Sequence, residues 1–334
     1  MNIKLADVIK VSLFAGIGFF LLWYVINGLS ANDKTQVILA LKQADYRIVF
    51  VSIIITLLSH LLRAMRWQLL LEPISHKPPI TTTFAAVMMA YLANLLVPRL
   101  GEVSRCGVLY QQENIAVDKS IGTVITERIT DTLTLLLCGF ILLVFQYDVI
   151  IGLLQKNVHL PALNLLKVME IVGKLSLFIS VMVFLIIRFK EKLLQNKIIS
   201  KLTQAMIGVK QGVMSVTQVK SLRKYLALSL LIWFCYGLTV YINFFCLAQT
   251  AHLQPIHALA ILVLGAFGFI VVQGGIGAYQ LIVMEVLALY GTSKADGYAI
   301  GWINWSAQTL AIIVFGIASL IYLGQKKKTT PPTV

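Results

Sequence analysis

Long apolar stretches separated by short polar segments run along the whole chain. A helix needs about 20 largely apolar residues to cross a bilayer. Six stretches meet that requirement, over residues 8–28, 46–65, 122–146, 168–187, 225–248 and 298–323, and each is predicted to be a spanning helix. Two further apolar segments are different. The stretch 82–97 is short and stops at Pro98, and the stretch 258–289 is interrupted by Gly274, Gly275 and Gly277. The pattern predicts an all-α polytopic membrane protein with about eight transmembrane segments, two of them broken or re-entrant hairpins.

The loops orient these helices, because Lys and Arg accumulate on the cytoplasmic side. Segment 188–224 holds nine basic residues against one acid, Glu191, and the tail carries Lys326, Lys327 and Lys328. Both are expected inside, as is the stretch after the second span with Arg63, Arg66 and Lys77. Segments 30–45 and 147–167 are poor in positive charge and are read as outer loops. Parity then makes residues 80–121 enter and leave from the cytoplasm, and residues 255–297 enter and leave from outside. Two broken hairpins opening on opposite faces are the pattern of an inverted-repeat transporter. Non-helical backbone at that depth is tolerated only beside protein or a water-filled cavity. Eight ordinary spans with glycines at close helix contacts would give the same hydropathy.

Composition supports the membrane assignment. Of 334 residues, 58% are hydrophobic and 13% charged, against about 25% charged in soluble domains. The net charge of +14 lies between apolar runs, which points to topology and anionic lipid headgroups at the inner leaflet and away from nucleic acid. Leu193, Leu194, Ile198, Leu202, Met206, Val209, Val213 and Val216 recur at helical spacing among lysines. This predicts an amphipathic cytoplasmic helix over 188–224. The chain reads as one membrane domain, 1–334, with an embedded core over 8–323 and a tail over 324–334, in the inner (plasma) membrane with both termini cytoplasmic. The first apolar stretch is expected to be a retained span, being long for a signal peptide and lacking an Ala-x-Ala end. Cys106, Cys138, Cys235 and Cys246 have no metal or disulfide spacing, and no cofactor, metal site or catalytic set is expected.

Ionisable groups inside apolar segments are costly and therefore candidates for function. The first cluster is Arg99, Glu102 and Arg105 around Pro98 and Gly101. Arginine suits bidentate phosphate binding, and Glu102 could equally neutralise an arginine in a structural pair. The second cluster is Glu127, Arg128 and Asp131. Glu127 and Asp131, four apart, share a helix face, and Arg128 points about 100° away toward another helix. The two carboxylates could bind a cation, relay a proton, pair with the first cluster's arginines or form an interfacial salt bridge. The third is Gly274, Gly275 and Gly277, followed by Gln280 and Glu285. Its glycines could free amides for an anion, though it lacks the pattern of a nucleotide loop. Glu285 reads as a proton-coupling acid or as one half of a buried pair. His60 reads as a packing or interfacial histidine.

Pro98-Arg99-Leu100-Gly101-Glu102 with Arg105, then Glu127-Arg128 with Asp131, then Gly274-Gly275-Ile276-Gly277, resemble the flippase-like membrane family at the N-terminal side of lysylphosphatidylglycerol synthases. The resemblance covers nearly the whole chain. Gln273 stands where the family often has proline, and Gln280 where it often has an acid. The sequence shows no soluble aminoacyl-transferase domain, so the resemblance implies lipid translocation or binding and not lipid synthesis.

The expected function is therefore a lipid flippase for an amphiphile with a phosphate-bearing or otherwise polar headgroup. Arg99, Glu102, Arg105, Glu127, Arg128, Asp131, Gly274, Gly275, Gly277, Gln280 and Glu285 are the expected substrate-binding residues. No ATP site is recognisable, so an ion gradient or a downhill lipid gradient is the expected drive. The alternatives are a membrane-embedded lipid-modifying enzyme and a scaffold that presents lipid to a partner synthase.

Overall fold

The computed structural model describes residues 5–97, 100–147 and 214–326. The expected span 168–187, residues 188–213 of the basic segment, and Pro98, Arg99, Lys327 and Lys328 lie outside the described residues. The fold is all-α. The described helices are α1 (Leu5–Gly28), α2 (Ala31–Gln43), α3 (Tyr46–Leu71), α4 (Ile80–Leu96), α5 (Leu100–Glu113), α6 (Val117–Phe145), α7 (Leu222–Asn243), α8 (Pro255–Val271), α9 (Ala278–Leu289) and α10 (Lys294–Gln325). Four reach the length and hydropathy of a membrane span: α3, α6, α10, and α7 with its 3-10 extension to Cys246.

Local chemistry sets the boundaries. Segment 30–45, expected as an outer loop, is instead mostly helix α2, because Ser30 and Asp33 form a reciprocal capping box at its start. Asp45 caps α3 by accepting from the Arg47 amide at 2.9 Å. The expected span 122–146 begins already at Val117, and the α-helix expected over 225–248 stops at Asn243.

The order long helix, two short helices, long helix occurs twice. In the first set α4 and α5 lie between α3 and α6, and in the second α8 and α9 lie between α7 and α10. Val97 at the first break is extended (φ −136°, ψ 129°), as the residue before a proline prefers. Beyond it α5 folds back along α4 so closely that a Cβ on Gly101 would overlap the Ala90 carbonyl. At the second break Gly274, Gly275 and Gly277 have φ of 70°, 73° and 79°, a region that glycine enters without strain. There α9 returns against α8, with the Tyr279 backbone nitrogen only 2.9 Å from where a Cβ on Gly268 would sit.

Helix α10 is the ruler for both pairs. Its C-terminal end holds the open end of α4–α5, where Lys326 Nζ bonds Glu113 Oε1 and Thr82 Oγ1, each at 2.7 Å. Its N-terminal end holds the open end of α8–α9, where Gly297 packs on Met284 and Leu287. Between them Trp305 Nε1 donates to the Gly274 carbonyl at 2.7 Å. A Cβ on Gly274 would lie 3.8 Å from Leu95 of α4. The two hairpins thus open toward opposite ends of α10, and their tips meet midway.

Candidate functional site

One face of α3 carries Ser52, Thr56, Ser59, Arg63 and Arg66, separated by four, three, four and three residues, and all five are buried. That spacing keeps them on a single stripe. The two arginines of the stripe meet Glu127 and Asp131 of α6, and Tyr225, Ser229 and Tyr236 of α7. Helix α5 brings in Arg105.

The ion pairs form one network. Arg63 Nη1 lies 2.9 Å from Asp131 Oδ2, and Arg66 Nη1 lies 2.8 Å from Asp131 Oδ1. Arg66 Nη2 lies 3.3 Å from Glu127 Oε1, and Arg105 Nη1 lies 2.7 Å from Glu127 Oε2. Arg66 and Glu127 have no exposed surface. Arg63 also donates to the Tyr236 hydroxyl at 3.1 Å and Arg66 to Ser229 Oγ at 3.2 Å. The Arg105 guanidinium lies 4.4 Å above the Trp67 ring, and the Trp67 indole donates to Thr123. A charge at the bilayer centre costs at least about 2.5 kcal/mol, and mutual pairing is what makes such a cluster tolerable.

The balance within this cluster is unequal. Among the described residues three guanidiniums meet two carboxylates, leaving one positive charge. Arg105 Nη2, Arg63 Nε and Arg66 Nε make no hydrogen bond, and Glu127 Oε2 and both Asp131 oxygens are held by ion pairing alone. The surplus charge gives the cluster a place for one more anionic oxygen group.

The sequence expectations divide here. Glu127 and Asp131 share a face as expected, Glu127 pairs with Arg105 of the first cluster, and Arg128 points to another helix, where its Nε meets Glu102 Oε1 at 3.0 Å. Arg99 lies outside the described residues. Arg63 and Arg66, read as topology charges, are instead the centre of the network. The signal that could have found them is the stripe itself, since both continue the small polar positions of α3 at helical spacing. His60 is buried and packs against the Tyr91 ring, tilted by 40° with 4.5 Å between ring centroids.

The glycine cluster is not an open anion cradle. The Gly275 amide donates to the Val272 carbonyl at 2.8 Å and the Gly277 amide to Gln280 Oε1 at 2.7 Å. Gln280 is fully buried and caps α9. Beside it Asn243 Nδ2 donates to Asn304 Oδ1 at 2.6 Å, giving the second half a neutral polar centre where the first has a charged one. Glu285 stands at the surface end of α9, 4.0 Å from Lys294. Outside the spans, Lys220 Nζ bonds Glu72 Oε1 at 2.6 Å, and this hydrogen bond holds the Glu72 carboxyl below its ordinary range.

No curated protein and no solved structure gives a significant match. The profile of the family described as "Lysylphosphatidylglycerol synthase TM region" matches residues 8–325, covering both hairpins and the whole ion-pair network. The chain is a membrane protein and belongs to the lysylphosphatidylglycerol synthase transmembrane-region family.

Proposed function

We propose that this protein moves an amphiphilic lipid with an anionic headgroup between leaflets, without modifying it. The observation that carries the reading is the buried surplus guanidinium beside the meeting point of two oppositely opening hairpins. Helices α4, α5, α8 and α9 have 17, 14, 17 and 12 residues. At 1.5 Å per residue they run roughly 18 to 26 Å, short of a hydrocarbon core of about 30 Å. Tips that stop inside the bilayer make both hairpins re-entrant and bring irregular backbone to the midplane, as in transporters that alternate access around a fixed site. Both termini are read as cytoplasmic from the lysines that follow α10 and from parity.

In this reading Arg105, through its unpartnered Nη2, takes a phosphate oxygen, with Arg99 as a second donor. Glu127 and Asp131 hold the arginines in place by bridging, each giving one oxygen to each of two guanidiniums, and Arg63 and Arg66 supply the remaining positive field. The second hairpin closes the chamber from the other side through Gly274, Gly275 and Gly277.

A leaflet assay in proteoliposomes tests the proposal. Fluorescent phosphatidylglycerol should equilibrate between leaflets with the wild-type chain, and its mass should stay unchanged. Arg105→Gln, if folded, should slow exchange by about tenfold, the value of one hydrogen bond to a charged group. A lipid of altered mass would mean an enzyme. Bound lipid with no exchange would mean a scaffold that presents lipid to a synthase.

A further inference from the structure

Among the four described spans α6 faces outward most, with only 6% of its most apolar stretch buried. Where α5 meets α6 the surface opens into a groove of about 450 Å³. Its wall is apolar: Val103 on α5, and Val124, Ile125, Ile129 and Leu133 on α6. Its lining on α6 extends from Ile121 to Leu133, roughly 18 Å along the axis. The charged part of this groove is the Glu102–Arg128 pair. Unlike the pairs of the central network, this one is half open, with side-chain exposures of 30% and 49%.

The same two residues also bound a second space. A cleft lined by Asn94, Gly101 and Tyr91 runs from Glu102 and Arg128 to Arg63 and Arg105. Its free volume is about 10 Å³, room for about one water. A wide amphiphile-shaped groove and a nearly closed polar cleft thus meet at one ion pair.

We propose that the α5–α6 groove is a lateral phospholipid site, in which an acyl chain lies along the apolar wall and the lipid phosphate displaces Glu102 from Arg128. The proposal deepens the translocation reading and rests on it only in treating the bound lipid as cargo. The exchange swaps one anion for another. Arg128 always has one anionic partner, either carboxylate or phosphate, and the displaced Glu102 carboxylate, already 30% exposed, turns to the open side of the groove. A guanidinium fork fits a phosphate at least as well as a carboxylate. Glu102 lines both spaces, so displacing it joins them, and Arg105, whose Nη2 has no hydrogen-bond partner, lines the cleft beyond. Glu102 is thus a competing internal anion that keeps the cleft shut when no lipid is present. The groove selects a phosphate-bearing lipid over a neutral one of equal chain length.

The test uses the full chain in vesicles that contain phosphatidylglycerol with a photoactivatable acyl chain, or a diacylglycerol with the same chain. Adducts are located by mass spectrometry. Phosphatidylglycerol should label Val103, Ile125, Ile129 or Leu133, and diacylglycerol should not. Arg128→Gln should cut labelling about tenfold, while Glu102→Gln should raise it, because the competitor is gone. A merely structural salt bridge would respond alike to both substitutions. Equal labelling by the two lipids, a fall in both variants, or crosslinks from these positions to another part of the chain would overturn the proposal. Labelling as expected without leaflet exchange would keep the groove and remove the transport reading. Exchange that is intact in Arg128→Gln with the groove unlabelled would do the reverse.

Discussion

Arg105 of the first hairpin and Glu127 of α6 are joined by a 2.7 Å contact in which neither side chain is more than 4% exposed. This pair fixes the hairpin to the wall of the bundle at the level of the network, and it uses only one end of the Arg105 fork. A buried pair broken from one side leaves a charge with no partner, at a cost of about 3–5 kcal/mol. Glu127→Gln should therefore lower stability by that amount, since Arg66 and Arg105 both lean on it. Thermal unfolding in mild detergent checks this, and a change under about 1 kcal/mol would show that the network does not hold the fold.

A guanidinium fork and an ammonium are not equivalent at such a site. Arg66 reaches Asp131, Glu127 and Ser229 from two nitrogens. Arg66→Lys keeps the charge but can satisfy at most part of this set. The expected result is a folded protein less stable by about 1–3 kcal/mol, the cost of an unsatisfied buried polar group, with leaflet exchange reduced. Full exchange with wild-type stability would assign Arg66 to topology alone.

How much of this was legible beforehand depended on the kind of signal. Four of the expected spans, those in α3, α6, α7 and α10, followed from hydropathy, since a bilayer-length apolar run has few alternatives. Both breaks were marked by residues that cannot continue a helix, Pro98 and the Gly274–Gly277 group. The i, i+4 spacing of Glu127 and Asp131 correctly put them on one face. Arg63 and Arg66 were misread because positive charge near a helix end normally signals orientation, and only their register with Ser52, Thr56 and Ser59 tells otherwise. Helix α2 was missed because its mean hydropathy is low and its start depends on a cap. The sequence alone leaves the amides of Gly275 and Gly277 without acceptors, because Val272 and Gln280, which use them, are placed there only by the fold.

Gly277 combines φ of 79° with a neighbour from α1. A Cβ there would lie 2.5 Å from the Gly18 carbonyl oxygen. Gly277→Ala should destabilise by about 1–3 kcal/mol from backbone strain alone, with the overlap adding to it. Gly324→Ala, where a Cβ would meet nothing within 4 Å, is the matched control and should be neutral or slightly stabilising. Equal behaviour of the two variants in a thermal-unfolding assay would contradict the packing of α1 on the second break.

Trp305 ties the second tip to α10 through one hydrogen bond to the Gly274 carbonyl. Trp305→Phe keeps an aromatic ring and removes the donor. The expected loss is about 0.5–1.5 kcal/mol, together with faster hydrogen exchange of the Gly275 amide. Unchanged exchange there would mean that the tip is held by packing alone.

Glu72 and Lys220 link the connector after α3 to the segment before α7 on the side read as cytoplasmic. The Glu72 carboxyl is held below its ordinary range by the Lys220 hydrogen bond. A lowered folded-state value stabilises above the unfolded value, and that contribution is lost as pH falls through the folded one. Glu72→Gln should therefore flatten the fall of melting temperature on acidification below the ordinary carboxylate range and leave neutral-pH stability nearly unchanged. A larger effect at neutral pH would contradict a surface link.

The account depends most on where the first break sits in the bilayer. A spin label on Val97→Cys in reconstituted vesicles, read by its accessibility to oxygen and to a polar nickel reagent, gives that depth directly. A re-entrant tip meeting Gly274 inside the membrane predicts a depth of about 15 Å below the headgroups, half the hydrocarbon thickness. A label found at headgroup level would contradict the shared chamber, and with it the lipid-translocation proposal.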